Sequence, residues 1–228
     1  MDRHFEIELK GLKQLILEMG GYVEKSIEQA CRAILDRNPK CFEMVSTYEK
    51  KINEAHKEVD RQCLEMLARQ APVAADLRLV LVITKINTDL ERMGDQACNI
   101  SYTGRDYISR APVATKVDLV EMAAKVRGMV RDSLDAFVRL DTDLSRDVMS
   151  RDDQIDQAKD QIFAELKIYM KENPSEIEAS LDLILIARNL ERLADHATNI
   201  AEEVIFLATG DDIRHGTEST DNKPSANF

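Results

Sequence analysis

The sequence predicts an all-α protein built from two tandem three-helix bundles. The main observation is that residues 89–100 return almost unchanged at 189–200, with Glu, Arg, Asp and Asn at the same places in both segments. Apolar residues also recur at helical spacing over six long stretches, which prolines and short polar turns separate. Three long helices joined by short links are typical of an up-down-up bundle, so the repeat indicates a duplicated bundle.

The first repeat is assigned to residues 1–110. Asn38 and Pro39 predict an N-cap followed by proline at the first helical position, where a helix tolerates it. Pro72 and Pro112 break the helical pattern and so separate the elements. Three helices are therefore expected, over residues 4–36, 38–69 and 74–110.

The second repeat is assigned to residues 111–210 and follows the same plan. Ser175 and Glu178 have the spacing of a capping box, and Gly210 is placed to cap the carboxyl end of the last helix. Residues 211–228 are rich in Gly, Ser, Thr, Asn and Pro and are expected to be disordered. Three helices are again expected, over residues 115–140, 144–171 and 175–208.

Composition limits the classes of partner. The 228 residues carry a net charge of −11, which disfavours nucleic acid and favours cations and basic protein surfaces. No apolar run reaches the ~18 residues that span a bilayer, and no signal peptide is evident, so we expect a soluble cytoplasmic protein. The four cysteines lack CxxC spacing and are expected to be reduced, with a redox pair or soft-metal site as the alternative.

The repeated segments carry two strips of oxygen donors. Residues four apart lie on the same face of a helix, and two carboxylates at that spacing repel each other. Keeping the pair twice indicates that a cation, an arginine or a helix cap offsets the repulsion. Carboxylates in this arrangement suit Mg²⁺, Mn²⁺ and iron. The strips are Glu91, Asp95 and Asn99 in the first repeat and Glu191, Asp195 and Asn199 in the second.

Acids on the preceding helices extend both strips. Asp152 and Asp156 are four residues apart, and neighbouring antiparallel helices would let them converge with the second strip. The equivalent positions of the first repeat are Glu49 and Asn53, which supply one carboxylate fewer. So many acids with so little histidine predict an exposed polynuclear or hydrated metal site, because buried carboxylates would need full neutralisation.

Other interpretations of these residues stay open. Arg92 and Arg192 could form solvated ion pairs with the acids, each worth less than ~1 kcal/mol. The two asparagines could instead form a hydrogen bond between helices that fixes their register. The four histidines are interpreted as surface residues. They are His4, His56, His196 and His215.

Nothing in the sequence predicts an enzyme. Gly94 and Ala194 stand where the Glu-x-x-His motif of di-iron bundles would place histidine, which counts against an oxygen-activating protein. Phosphate-binding loops and nucleophile motifs are also missing from the sequence. A carboxylate-bridged metalloenzyme and a purely structural helical adaptor without metal remain the alternatives.

Several motifs together resemble the PhoU family of phosphate-specific transport accessory and regulatory proteins. Besides the repeated frame Leu-Glu-Arg-x-x-Asp-x-x-x-Asn-Ile, they occur at residues 19–24, 70–80 and 210–215. The resemblance extends from about residue 5 to residue 215. It implies a cytoplasmic negative regulator of the phosphate-starvation response that links the ATPase subunit of the phosphate ABC transporter to a phosphate-sensing histidine kinase.

The resemblance also implies a metal and an oligomeric state. Some members of the family bind polynuclear iron or zinc clusters through acid-x-x-x-acid motifs. In this sequence those motifs correspond to Glu91/Asp95, Glu191/Asp195 and Asp152/Asp156, and the ions to consider are iron, zinc, manganese and magnesium. Asn53 departs from the motif, so the first repeat is expected to hold fewer metals or bind them more weakly. A homodimer is expected because homodimers are common among relatives, with neither nucleic-acid binding nor membrane insertion.

Overall fold

The computed structural model describes residues 3–70, 72–114 and 117–213, and within these ranges the fold is all-α, as predicted. The six predicted helices are present, with the fifth divided into two. A short 3₁₀ turn, Pro174–Glu176, precedes the last helix. The α-helices are α1 Arg3–Leu35, α2 Lys40–Gln70, α3 Ala75–Ser109, α4 Leu119–Arg139, α5 Thr142–Ser150, α6 Asp152–Glu172 and α7 Ile177–Thr209.

Helices α1–α3 form one bundle and α4–α7 form the other. The bundles pack together through α3 against α7, the most extensive helix pair of the molecule, and through α1 against α4. The duplication is also visible in the buried positions of α1 and α4, which match at a spacing of 103 residues. Three such pairs are Met19 with Met122, Val23 with Val126, and Ile27 with Val130.

The fifth helix is not continuous over 144–171 as predicted. It breaks at Arg151, between α5 and α6. The guanidinium of Arg151 donates to Asp132 of α4 at 2.7 Å and pairs with Asp147 of α5 at 2.9 Å, which fixes the bend. Asp152 therefore lies in the first turn of a new helix, where the helix dipole favours a negative charge.

Two of the predicted helix caps are present and one is wrong. The Asn38 side chain accepts a hydrogen bond from the Lys40 amide, and Gly210 adopts the left-handed conformation, φ 85°, that ends α7. The capping box at Ser175 does not form, because Pro174 starts a 3₁₀ turn and α7 begins only at Ile177. Residues 214–228 of the predicted disordered tail lie outside the described residues.

Candidate functional site

The two repeated segments, 89–100 and 189–200, lie on the antiparallel helix pair α3 and α7 at the centre of the molecule. Contacts along this pair run in opposite directions: residue 85 meets residue 203, and residue 110 meets residue 182. Within each segment, apolar residues face the core while most of the polar residues of the repeated frame face outwards. Most polar positions of the repeated frame therefore lie at the surface of α3 and α7.

Asp89 joins the two segments. Its side chain is 11% exposed, its Oδ1 lies 2.9 Å from Nδ1 of His196, and the same oxygen accepts a hydrogen bond from Asn199 at 3.3 Å. The prediction that His196 is a surface residue is wrong, because its side chain is only 14% exposed and is held by Asp89. Asn199 forms the bond between helices that was the alternative to a ligand role.

The structure brings together the four acids predicted for the second repeat, which we call the second acidic cluster: Asp152, Asp156, Glu191 and Asp195. Lys159 lies among them. Its Nζ is 2.9 Å from Oδ1 of Asp156 and 3.1 Å from Oε1 of Glu191, so one ammonium joins α6 to α7. A third carboxylate, that of Asp160, lies 3.7 Å from the same nitrogen.

The remaining two acids of the second acidic cluster, Asp152 and Asp195, both have raised pKa values. Asp195 is exposed as a whole residue, but its carboxylate is partly desolvated by the helices around it. This desolvation is the main reason why its pKa rises to about 6, and repulsion from the negative charge of Glu191 is the second. Burial also raises the pKa of Asp152, and repulsion from Asp156 adds to the effect. These two acids therefore hold their protons to a higher pH than isolated carboxylates do.

An open cleft runs along the second acidic cluster on the side of α3. Both Asp152 and Asp195 line it, and Gln96 reaches it from α3. The buried Oε1 of Gln96 has no hydrogen-bond partner among the described residues. The remaining lining residues are Arg192, His196, Thr198 and Asn199.

We call the corresponding acids of the first repeat, Glu49 on α2 with Glu91 and Asp95 on α3, the first acidic cluster; the charges of Glu49 and Asp95 both act on Cys98 of α3. Gly94 lets these helices approach closely, because a side-chain carbon there would lie 3.1 Å from Cδ1 of Ile52. Glu49 and Glu91 are half-buried, whereas Asp95 is exposed, as is the neighbouring Asn99. These four residues are distributed over two packed helices, α2 and α3.

Cys98 lies beside the first acidic cluster, at the position where the second repeat has Thr198. Burial, followed by the negative charge of Glu49, raises the pKa of its thiol to about 12, so the sulfur stays protonated at neutral pH. Burial likewise raises the pKa of Cys31 to about 12. All four cysteines are free thiols in the structure.

Comparison with known proteins agrees with this architecture. The family model described as "PhoU domain" matches the chain twice, over residues 16–103 and 119–204. The chain belongs to the PhoU family. Both PhoU domains lie inside the predicted repeats, 1–110 and 111–210, and each contains one repeated segment and one acidic cluster.

Curated relatives in this family carry names of accessory proteins. The "phosphate-specific transport system accessory protein PhoU homolog" of Pseudomonas putida is 38% identical over 216 residues, covering 94% of this chain and 84% of its own. The Escherichia coli (strain K12) protein named "phosphate-specific transport system accessory protein PhoU" is 32% identical over 211 residues, covering 92% and 88%. None of these names denotes an enzyme.

Two crystal structures of PhoU proteins have the same fold. The PhoU of Pseudomonas aeruginosa superposes with a TM-score of 0.88 at 36% identity, covering 91% of this chain and 100% of that one. The phosphate transport system regulatory protein PhoU of Streptococcus pneumoniae superposes with a TM-score of 0.81 at 27% identity, covering 92% and 99%. In the part of the chain that is described here, no helix is long and apolar enough to cross a membrane.

The two acidic clusters lack the arrangement of a metal site for different reasons. In the described ranges, no three or more His, Cys, Asp and Glu side chains are gathered closely enough to hold a metal ion. In the second acidic cluster, Lys159 already uses two of the four carboxylates, so this arrangement does not fit a metal. In the first acidic cluster, Glu49, Glu91 and Asp95 have the oxygen donors that a hydrated, oxygen-preferring ion takes, but they are not gathered closely enough to hold one.

Asp195→Asn is expected to stabilise the folded protein by about 1 kcal/mol at pH 7.5, after allowance for solvent screening of the exposed residue. The folded-state pKa of about 6 exceeds the ordinary value of 3.8, so the wild-type protein loses stability as pH rises through that window. Urea unfolding from pH 3.5 to 7.5 measures the difference. The gain should be absent at pH 3.5, where the aspartate is protonated in both states; an equal gain at both ends would contradict this explanation.

Proposed function

We propose that this PhoU-family protein is a cytoplasmic negative regulator of the phosphate-starvation response. In this proposal it couples the ATPase subunit of the phosphate ABC transporter to a phosphate-sensing histidine kinase and does not catalyse a reaction itself. The observation that carries the proposal is the pair of acidic clusters, one in each PhoU domain, along the central helices α3 and α7. The accessory and regulatory names of the relatives give it support.

The coupling can be explained by differential binding. An adaptor links two partners when it binds one conformation of each more tightly than the other, so that a change in the first partner shifts the second. Carboxylates of the acidic clusters provide the contact, because a negative surface steers and orients a basic partner surface. The net charge of −11 extends this field over the whole molecule.

A metal ion has a limited place in the proposal. Glu49, Glu91 and Asp95 of the first acidic cluster would have to turn towards one another to hold it, and the ions to test are iron, zinc, manganese and magnesium. When bound, it would supply positive charge that relieves repulsion among these carboxylates and changes the surface offered to a partner. The contacts of Lys159 favour a second acidic cluster that acts as a docking surface without metal.

Replacing the four acids of the repeated frame with alanine is expected to derepress alkaline phosphatase in phosphate-rich medium. The substitutions remove the negative surface without touching the apolar core, so the protein should remain folded and abundant. Chromosomal replacement followed by alkaline phosphatase assay and immunoblotting provides the measurement. The variant combines Glu91→Ala, Asp95→Ala, Glu191→Ala and Asp195→Ala.

A matched control removes four exposed acids elsewhere on the surface, so that net charge changes equally in both variants. It should keep repression. Unchanged repression in the test variant at wild-type abundance would contradict the proposed role of the acidic clusters. Derepression in both variants would show that the loss of net charge, rather than the position of the acids, causes the effect. The control combines Glu43→Ala, Glu54→Ala, Glu172→Ala and Glu178→Ala.

A further inference from the structure

Lys159 forms ion pairs inside the second acidic cluster, whose cleft Arg192 and His196 also line. Its side chain is 27% exposed, and it is held between Asp156 of its own helix and Glu191 of α7, whose side chain is only 20% exposed. These carboxylates also raise the pKa of the Lys159 ammonium, so it is charged at every physiological pH. The nitrogen thus occupies the position of a counter-cation.

The first repeat differs at this point. Buried residues of α2 and α6 match at a spacing of 103 residues, as Ile52 and Ile155 do, and this register pairs Lys159 with His56. The ring of His56 contacts Asp60 at 3.4 Å and the Asn87 carbonyl at 3.4 Å. At this register, duplication has therefore left a lysine that pairs with two acids of the second acidic cluster, and in the first repeat an imidazole that contacts Asp60 and Asn87.

We propose that Lys159 is a built-in counter-cation that keeps the second acidic cluster closed to divalent metal ions. The first repeat has no lysine at this register, so the two PhoU domains differ here although their repeated segments are almost the same. The inference concerns the same surface as the proposed function. It does not depend on that function, since a purified protein suffices to test it.

Electrostatics supports this assignment. A divalent ion entering the second acidic cluster must either remain near the ammonium, which repels it at short range, or displace that ammonium from Asp156 and Glu191. With Lys159 in place only Asp152 and Asp195 remain for the ion, fewer ligands than a dedicated oxygen site supplies. Removal of the lysine frees all four carboxylates at once.

Lys159→Met tests the proposal with Mn²⁺ as the probe. Full-length protein is stripped with chelator, dialysed against Mn²⁺ at increasing concentration, and assayed for bound metal. We expect at least about tenfold tighter Mn²⁺ binding and an additional bound ion per chain, because a repelling charge at short range is removed. Lys167→Met, which removes an exposed lysine from the same helix, is the control and should bind as the wild type does.

A second substitution locates the gained ion. Adding Glu191→Gln to Lys159→Met should return Mn²⁺ binding to the wild-type level, because it removes a carboxylate that Lys159 had neutralised. A Lys159→Met protein that binds no more tightly than the wild type overturns the proposal. So does a wild-type protein that loses a bound Mn²⁺ when Glu191→Gln is introduced alone.

Opposite substitutions in the first repeat test the same idea even if the Lys159→Met protein does not fold. Asn53→Asp gives the first cluster a fourth carboxylate and should strengthen Mn²⁺ binding, and adding His56→Lys should cancel that gain by supplying the missing counter-cation. A gain that persists with the lysine overturns the proposal. Phosphatase repression is not measured in these experiments, so a failure of the proposed regulatory function leaves their outcome unchanged.

Discussion

Replacing Lys85 with methionine is expected to lower the free energy of unfolding by about 2–3 kcal/mol. Glu203 lies 3% exposed between the two repeats, and both of its carboxylate oxygens accept hydrogen bonds from Lys85, at 2.9 and 3.0 Å. Methionine keeps the aliphatic stem but removes the charge, so a buried carboxylate loses its two bonds from the lysine. This value lies somewhat below the roughly 3–5 kcal/mol typical of fully buried pairs, because Lys85 itself is 40% exposed.

A double substitution separates the charge effect from packing. Lys85→Met combined with Glu203→Leu removes both charges, and it should recover most of the stability lost in Lys85→Met, since no carboxylate remains to be solvated. Urea unfolding of the single and double variants at pH 7.5 gives the comparison. Equal losses in the two proteins would show that Lys85 stabilises the interface through its packing on Phe206, which lies 5.4 Å from its nitrogen.

Local patterns in the sequence were enough to predict most of the fold. Periodicity and proline positions predict the six helices, and the 100-residue repeat predicts two bundles, because both depend on residues close together in the chain. The convergence of Asp152 and Asp156 with the second strip also follows, since adjacent antiparallel helices must pack side by side. Lys159 itself lies one turn beyond Asp156 and could have been found by the same helical spacing.

The contacts that distinguish the two repeats could not be predicted in this way. Asp89 and His196 are 107 residues apart, and nothing local indicates that one holds the other. The break at Arg151 has no glycine or proline to mark it; a bond to Asp132 of another helix fixes it instead. In each case a side chain bonds across helices, and such bonds depend on the relative rotation of packed helices rather than on spacing along one of them.

Gly104→Val is expected to destabilise the protein by about 3 kcal/mol, although valine is the residue that the second repeat has at this place. A side-chain carbon at residue 104 would lie 2.9 Å from both Phe42 and Ile34, so the first bundle has no room for it. The second repeat fills the equivalent space differently. At the matching spacings, Phe137 replaces Ile34, Ser145 replaces Phe42 and Val204 replaces Gly104, and all three of these are buried.

Chemical denaturation distinguishes overpacking from other effects of the substitution. Gly21→Val on α1 is the control, because a side-chain carbon there meets no atom within 4 Å, and it should change stability little. Phe42→Ala alone should cost about 3–5 kcal/mol through the cavity it leaves. Combined with Gly104→Val it should cost less than the sum, since valine then occupies space that the ring has vacated. If the stability losses of the two single variants simply add in the double variant, residues 42 and 104 do not compete for the same space. The two cores would then have diverged one position at a time, and not by exchange of side-chain volume between neighbouring helices.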